Sequence, residues 1–318
     1  MIVDILLVMA GLVALVLAGD ALVKGAVNMS LRLGIPALIV SLTIVAFGTS
    51  APELIIAVQS ALEGAPGIAF GNVVGSNIAN VLLVLGLPAA LVGIVPHAVT
   101  GRRSYTMMLG ATALFILACA YGYLAPWHGV VFLLGLGYVL YESAQTGREM
   151  ATEADGVDSF DPGMRWSRIS ILIVLGLIGL PLGAEMLIRG AVGIAASFGL
   201  PEAVIGLTIV AIGTSLPELA TAIAAAYRQQ SDVAIGNVIG SNLFNILGIM
   251  GIVALFGPFD VPQGILQQDL WIMLAASLIL IPFIFNARRI SRRMGMVWLT
   301  VYFVYISVVV VMNAGGAA

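Results

Sequence analysis

A thirteen-residue stretch, Leu42-Thr-Ile-Val-Ala-Phe-Gly-Thr-Ser-Ala-Pro-Glu-Leu54, returns 165 residues later as Leu207-Thr-Ile-Val-Ala-Ile-Gly-Thr-Ser-Leu-Pro-Glu-Leu219, with 11 of 13 positions identical. The same offset carries Gly71-Asn-Val-Val-Gly-Ser-Asn-Ile-Ala-Asn80 onto Gly236-Asn-Val-Ile-Gly-Ser-Asn-Leu-Phe-Asn245. It also relates Asp20 to Glu185, Lys24 to Arg189 and Pro36 to Pro201. The chain is a duplication, and its most alike parts hold carboxylates, hydroxyls and helix breakers inside apolar segments. Such groups are costly at membrane depth. Their repetition points to an ion site.

Composition places these segments in a bilayer. The chain is 61% hydrophobic and 9% charged, against roughly 25% charged in soluble domains. Its single cysteine, Cys119, excludes an internal disulfide and a Cys-based zinc site, and its two histidines, His97 and His128, fall near expected loops. The N-terminus carries Asp4 where a secretory signal would carry basic residues, so the first apolar stretch reads as a retained span.

A bilayer core about 30 Å thick needs roughly 20 apolar residues per helix. Ten spans are expected: 2–30, 36–62, 67–93, 104–124, 127–146, 168–197, 201–227, 232–257, 269–287 and 296–313. Eleven of the 13 basic residues then fall in alternate loops, among them Arg102, Arg103 and the Arg288-Arg-Ile-Ser-Arg-Arg293 run. The positive-inside rule makes that side cytoplasmic and puts both termini outside, in the inner (cell) membrane. The expected fold class is an all-α polytopic membrane protein. Repeat 1 covers 1–146, with its motif region at 36–86. A cytoplasmic linker covers 147–167. Repeat 2 covers 168–318, with its motif region at 201–251. Five spans per half is an odd number, so the halves enter the membrane with opposite topology. Inverted repeats of this kind hold substrate near the midplane, at their interface.

Gly48-Thr-Ser-Ala-Pro-Glu53 lies near the middle of span 2. Pro52 removes an N–H and pushes Ala51 away from helical dihedrals. The helix is expected to break here, freeing carbonyls such as that of Ala46. Ser50 and Glu53 have capping-box spacing. The second copy supplies Ala211, Thr214, Ser215 and Glu218. In spans 3 and 8, Ser76 and Ser241 each follow the motif glutamate by 23 residues, and Asn80 and Asn245 lie one turn further on. These groups offer hard oxygen ligands, with no sulfur or imidazole, which suits hard cations. Calcium takes about six to eight oxygens. Two bidentate glutamates and two carbonyls bring six. A capping box with a proline kink would explain one copy in a soluble helix, but not two copies at membrane depth. The Trp residues at 127, 166, 271 and 298 fall near span ends and are expected in an aromatic belt.

The paired Gly-Thr-Ser-x-Pro-Glu and Gly-Ser-Asn segments resemble the two alpha-repeats of the calcium/cation antiporter superfamily, and most closely the pattern of prokaryotic sodium/calcium exchangers. The resemblance implies broken helices at spans 2, 3, 7 and 8. It implies calcium between Glu53 and Glu218, helped by the carbonyls of Thr49 and Thr214. It implies sodium at Ala46, Thr49, Ser50 and Ser241 on one side, and at Ala211, Thr214, Ser215 and Ser76 on the other, with spans 1 and 6 sliding over a rigid core. Archaeal members carry an aspartate where this chain has Asn245. The midpoint of Asn80 and Asn245 is therefore neutral, and proton sensitivity through that position is expected to be absent.

The expected activity is export of Ca2+ in exchange for Na+ by alternating access. No cofactor is expected. The expected partners are Ca2+, Na+ and the lipid bilayer, with no nucleic acid and no protein partner. A proton-coupled antiporter, a membrane enzyme and a passive cation channel are the alternatives. The proton-coupled branch typically shows Gly-Asn-x-x-Glu, and neither Gly71-Asn72 nor Gly236-Asn237 leads to a glutamate there. An enzyme would need a nucleophile–base pair or metal site, and no His or Cys accompanies the motifs.

Overall fold

The computed structural model describes residues 1–96, 98–150, 163–198 and 213–315. Helix α1 spans Ile2–Leu33 and ends where Gly34 adopts φ 65°, its N–H bonding the Leu31 carbonyl. This is a left-handed cap of the kind glycine favours. Helices α2 (Ala37–Thr49) and α3 (Ala51–Leu62) meet at a 45° bend. Next come α4 (Pro66–Val92), α5 (Ala98–Cys119) and α6 (Pro126–Met150). The second half contributes α7 (Trp166–Ser197), α8 (Leu216–Tyr227), α9 (Ser231–Leu255), α10 (Ile265–Asn286) and α11 (Arg292–Gly315). Six helices among the described residues are long and apolar enough to cross a membrane, and a seventh crossing is the α2–α3 pair. The protein is a mostly helical, multi-pass membrane protein. One departure from an all-helical chain is a two-residue strand pair, β1 (Tyr123–Leu124) antiparallel to β2 (Phe259–Asp260).

Burial orders the helices. In α4 and α9, 83% and 89% of the most apolar window is buried, against 22% in α1 and 28% in α7. Helices α4 and α9 are therefore the centre, and α1 and α7 present apolar surface to lipid. The central core draws on both halves, with Phe70, Ile78 and Leu85 packed with Ile239, Ile246 and Met250. A second cluster joins α1 and α7, which run antiparallel: Gly25 lies against Ile173, Gly11 against Gly183, and Gly190 against Val8.

Three expectations change. Spans 3 and 8 do not break: α4 and α9 are continuous, and each contains a widened π-helical stretch, Asn80–Leu85 and Phe244–Ile249. Their Gly-Ser-Asn segments contain no proline, so no backbone donor is lost, and the helix adjusts by one wide turn rather than by ending. The linker expected at 147–167 is shorter, because α6 continues to Met150 and α7 begins at Trp166; residues 151–162 lie outside the described set. Trp298 is fully buried, with its ring edge-on to Phe283 at 5.5 Å. It fills core rather than the interface, whereas Trp127, Trp166 and Trp271 are exposed as expected.

Candidate ion-binding site

The bend between α2 and α3 is built by the motif itself. Ser50 leaves the helical region at φ −85° and ψ 6°, and Pro52 falls in the first turn of α3. There its missing N–H has no helical partner to lose. Ser215 and Pro217 repeat this at the start of α8, with φ −87° and ψ 4° at Ser215. The break is tighter than expected, since the Ala46 carbonyl still accepts the Ser50 N–H at 3.0 Å and the Thr49 hydroxyl at 3.3 Å. The expected capping box does not form, as neither Ser50 nor Ser215 caps its helix through its side chain. The Ser50 hydroxyl donates instead to Glu218 Oε1 at 3.3 Å, across the two halves.

Glu53 and Glu218 are each 1% exposed. Their Oε2 atoms are buried without a partner among the described residues. The hydroxyls of Ser215 and Ser241 and the side-chain oxygens of Asn80 and Asn245 are in the same condition. Buried polar atoms are ordinarily satisfied, and an ionised carboxylate removed from water without a partner costs on the order of several kcal/mol. Six such oxygens within the two repeated motifs describe a site shaped for something that supplies positive charge.

A frame of asparagines holds the motifs together. Asn80 donates to Asn242 at 3.0 Å, and Asn245 donates to Asn77 at 3.1 Å. The 165-residue offset converts one bond into the other. The Nδ2 of Asn77 lies 3.6 Å from the Met273 sulfur, and that of Asn242 lies 3.7 Å from the Met108 sulfur, which are again equivalent pairs. Asn72 donates to the Glu53 carbonyl at 3.3 Å, and Asn237 to the Glu218 carbonyl at 3.5 Å. Thr49 also reaches Asn237, at 3.4 Å. Close packing lets these bonds form: a Cβ on Gly236 would lie 2.7 Å from the Leu38 carbonyl oxygen, and one on Gly240 would overlap that of Leu42.

Of the residues expected from sequence, the bonds described here join Ala46, Thr49, Ser50 and Glu218 into one network through Asn237, while Asn80 pairs with Asn242, Asn245 with Asn77, and Glu53 with Asn72 through its carbonyl. Ser76 is 5% exposed on α4, and Thr214 is half-buried beside Ser215. Ala211 lies outside the described residues. The supporting role of Asn72, Asn77, Asn237 and Asn242, and of Met108 and Met273, was not expected. The asparagines were visible as repeated polar positions. The methionines shared the offset too, but an apolar residue in an apolar span carries no signal of its own.

Two like halves that bury a carboxylate each within a multi-pass membrane fold fit a transporter, and the chain belongs to the sodium/calcium exchanger protein family, whose model matches twice, over residues 3–145 and 169–311. It is 36% identical over 313 residues to a putative antiporter, CaxA, of Alkalimonas amylolytica, spanning 96% of this chain and 98% of that one. It is 33% identical to the sodium/calcium exchanger MaX1 of Methanosarcina acetivorans, spanning 96% and 98%. Among solved structures it is similar to the sodium-calcium exchanger NCX_Mj soaked without Na+ and Ca2+, with a TM-score of 0.82 and 29% identity over 96% of this chain and 98% of that one.

Proposed function

We propose that this protein is a secondary-active antiporter that exports Ca2+ in exchange for Na+ by alternating access. The observation that carries the reading is the set of buried oxygens at Glu53, Glu218, Ser215, Ser241, Asn80 and Asn245 that have no partner among the described residues. All are hard donors, and the two carboxylates match the charge of one calcium ion. Calcium sits between Glu53 and Glu218, with the carbonyls of Thr49 and Thr214 completing its shell. Sodium takes the flanking positions, at Ala46, Thr49, Ser50 and Ser241 and at Ala211, Thr214, Ser215 and Ser76. Either occupancy relieves the repulsion between the carboxylates, so the two ions compete for one site, and that competition is the basis of exchange. Relatives that carry the name sodium/calcium exchanger support this choice of ions.

The membrane arrangement belongs to the same proposal. Ten spans form two five-helix repeats of inverted topology, in the inner membrane, with both termini outside and the arginine-rich loops in the cytoplasm. The antiparallel α1–α7 pair and the reciprocal asparagine bonds support the inversion.

The test is radiolabelled calcium uptake into proteoliposomes loaded with sodium or with choline. Uptake that requires internal sodium is expected. Equal uptake from choline-loaded vesicles, collapsing when a pH gradient is dissipated, would overturn sodium coupling in favour of proton coupling.

A further inference from the structure

The α1–α7 pair shares a small core, in which Leu15, Leu22 and Ala26 pack against Ile169, Ile173 and Leu180. Val40 and Val45 of α2 join that core, and Val23 and Val27 of α1 face the central cluster, so the pair touches the central helices along two apolar seams. Of the ion pairs described, one ties it to the helices around the site. Asp20 on α1 takes the guanidinium of Arg228, the C-terminal cap of α8, with Nε at 2.5 Å, and its other oxygen holds Lys24 at 2.8 Å.

The offset of 165 residues converts Asp20 to Glu185, Lys24 to Arg189 and Arg228 to Glu63. Glu63 caps α3 as Arg228 caps α8, so the two positions correspond in structure as well as in sequence. The sign at this position is reversed. The cation that charge complementarity matches to Glu63 is Arg189, the counterpart of Lys24. In the present conformation Arg189 pairs with Glu185 on its own helix at 2.5 Å, and Glu63 accepts from Gln59 at 2.8 Å. Arg189 is 72% exposed, against 29% for Arg228. Because α1 and α7 are antiparallel, with Ala18 against Gly179 and Gly11 against Leu187, the two groups lie on either side of the middle of the helix pair. One is clasped and the other is open.

We propose that Asp20–Arg228 and Arg189–Glu63 are alternating clasps, so that movement of the α1–α7 body breaks one pair as it makes the other. The proposal rests on the antiport reading, and it gives each end of the transport path its own lock. Exposed ion pairs are weak, which suits a device that must open in every cycle.

The experiment places cysteine pairs in a Cys119→Ser background, Asp20→Cys with Arg228→Cys and separately Glu63→Cys with Arg189→Cys, in sodium-loaded proteoliposomes. A short bifunctional methanethiosulfonate is applied with sodium or calcium outside. Each pair is expected to cross-link, one yield rising where the other falls, and either link is expected to stop exchange until a reductant is added. Failure of the 63–189 pair to link under every ionic condition, while 20–228 links, would overturn the clasps. So would links that leave exchange running. If the double variants do not insert, Asp20→Asn and Glu63→Gln serve instead. They are expected to move the ratio of calcium half-saturation on the two faces by roughly two- to fivefold in opposite directions, and shifts in the same direction would overturn the proposal. Wild-type vesicles without sodium-driven uptake sink the antiport reading instead, and cross-link yields read by gel mobility still judge the clasps.

Discussion

Asn77 and Asn242 make matching bonds in opposite halves, each accepting from an asparagine of the other half and each donating toward a methionine sulfur. Asp20 and Glu185 are related by the same offset and do not match. One binds across to Arg228, and the other, among the described residues, binds along its own helix. The inner frame is thus symmetric while the rim is not. Under the proposed alternating access, a rigid inner frame would keep the ligand geometry constant as access changes sides. The rim has to differ between its two ends in any single conformation, because a transporter open at both ends would leak its gradients.

The largest expected effect tests the inner symmetry. Glu53→Gln and Glu218→Gln each remove one of two carboxylates that are 1% exposed and leave calcium half-neutralised. Both are expected to reduce calcium uptake to background while protein still reaches the membrane, as judged by uptake assays alongside quantitative blotting. Normal transport in one variant alone would mean that the halves do not share the ion equally.

Next in size is the midpoint. Asn245→Asp adds a third carboxylate to the proposed site. When protonated, the new group resembles the amide it replaces, so the variant should follow wild type at low pH and depart from it as pH rises through the new titration. A unit charge at about 4 Å is worth about 1 kcal/mol even at the dielectric of water, so a change of roughly fivefold or more in calcium half-saturation is expected. Asn80→Asp should give the same profile. Distinct profiles from the two variants would break the symmetry at its centre.

Much of this frame was legible in the sequence because a duplication doubles every signal. A glutamate after a proline is ordinary, but the same glutamate at the same offset inside an apolar span is not. The helix bend at Ser50 followed from Pro52, whose chemistry is local. Continuity of α4 and α9 was less legible. Glycine permits a break without enforcing one, and packing of Gly236 against Leu38 and Gly240 against Leu42 keeps α9 straight. The role of Ser50 was misplaced for a related reason. Capping-box spacing describes one segment, whereas the bond that Ser50 makes runs to Glu218, 168 residues away. Trp298 went inward because its neighbours on α4 and α10 leave room for a ring, which no local pattern records.

A smaller effect is expected at the frame. Asn77→Ala leaves the Asn245 Nδ2 group without its acceptor, and Asn242→Ala does the same to Asn80. An orphaned buried donor costs about 1–3 kcal/mol, and about 2–4 °C of midpoint accompanies each kcal/mol in larger domains. Thermal unfolding in detergent should show losses that agree between the two variants. A large loss in one alone would mean that one amide bond carries the interface.

The smallest effect separates two serines that the sequence treats as identical. Ser50 donates to Glu218 at 3.3 Å, while the Ser215 hydroxyl is buried without a partner among the described residues. In sodium-free detergent, Ser50→Ala removes a bond to a charged acceptor and should lower the unfolding midpoint, by about 1.5 kcal/mol or more in free energy. Ser215→Ala removes a hydroxyl with no partner among the described residues, so the midpoint should hold or rise slightly. With sodium added, both variants should lose part of the stabilisation that sodium gives wild type, since mass action stabilises only the state that binds. Equal losses in sodium-free conditions would show that Ser215 finds a partner before any ion arrives, and the two motif copies would then match at the serine as they already do at the asparagines.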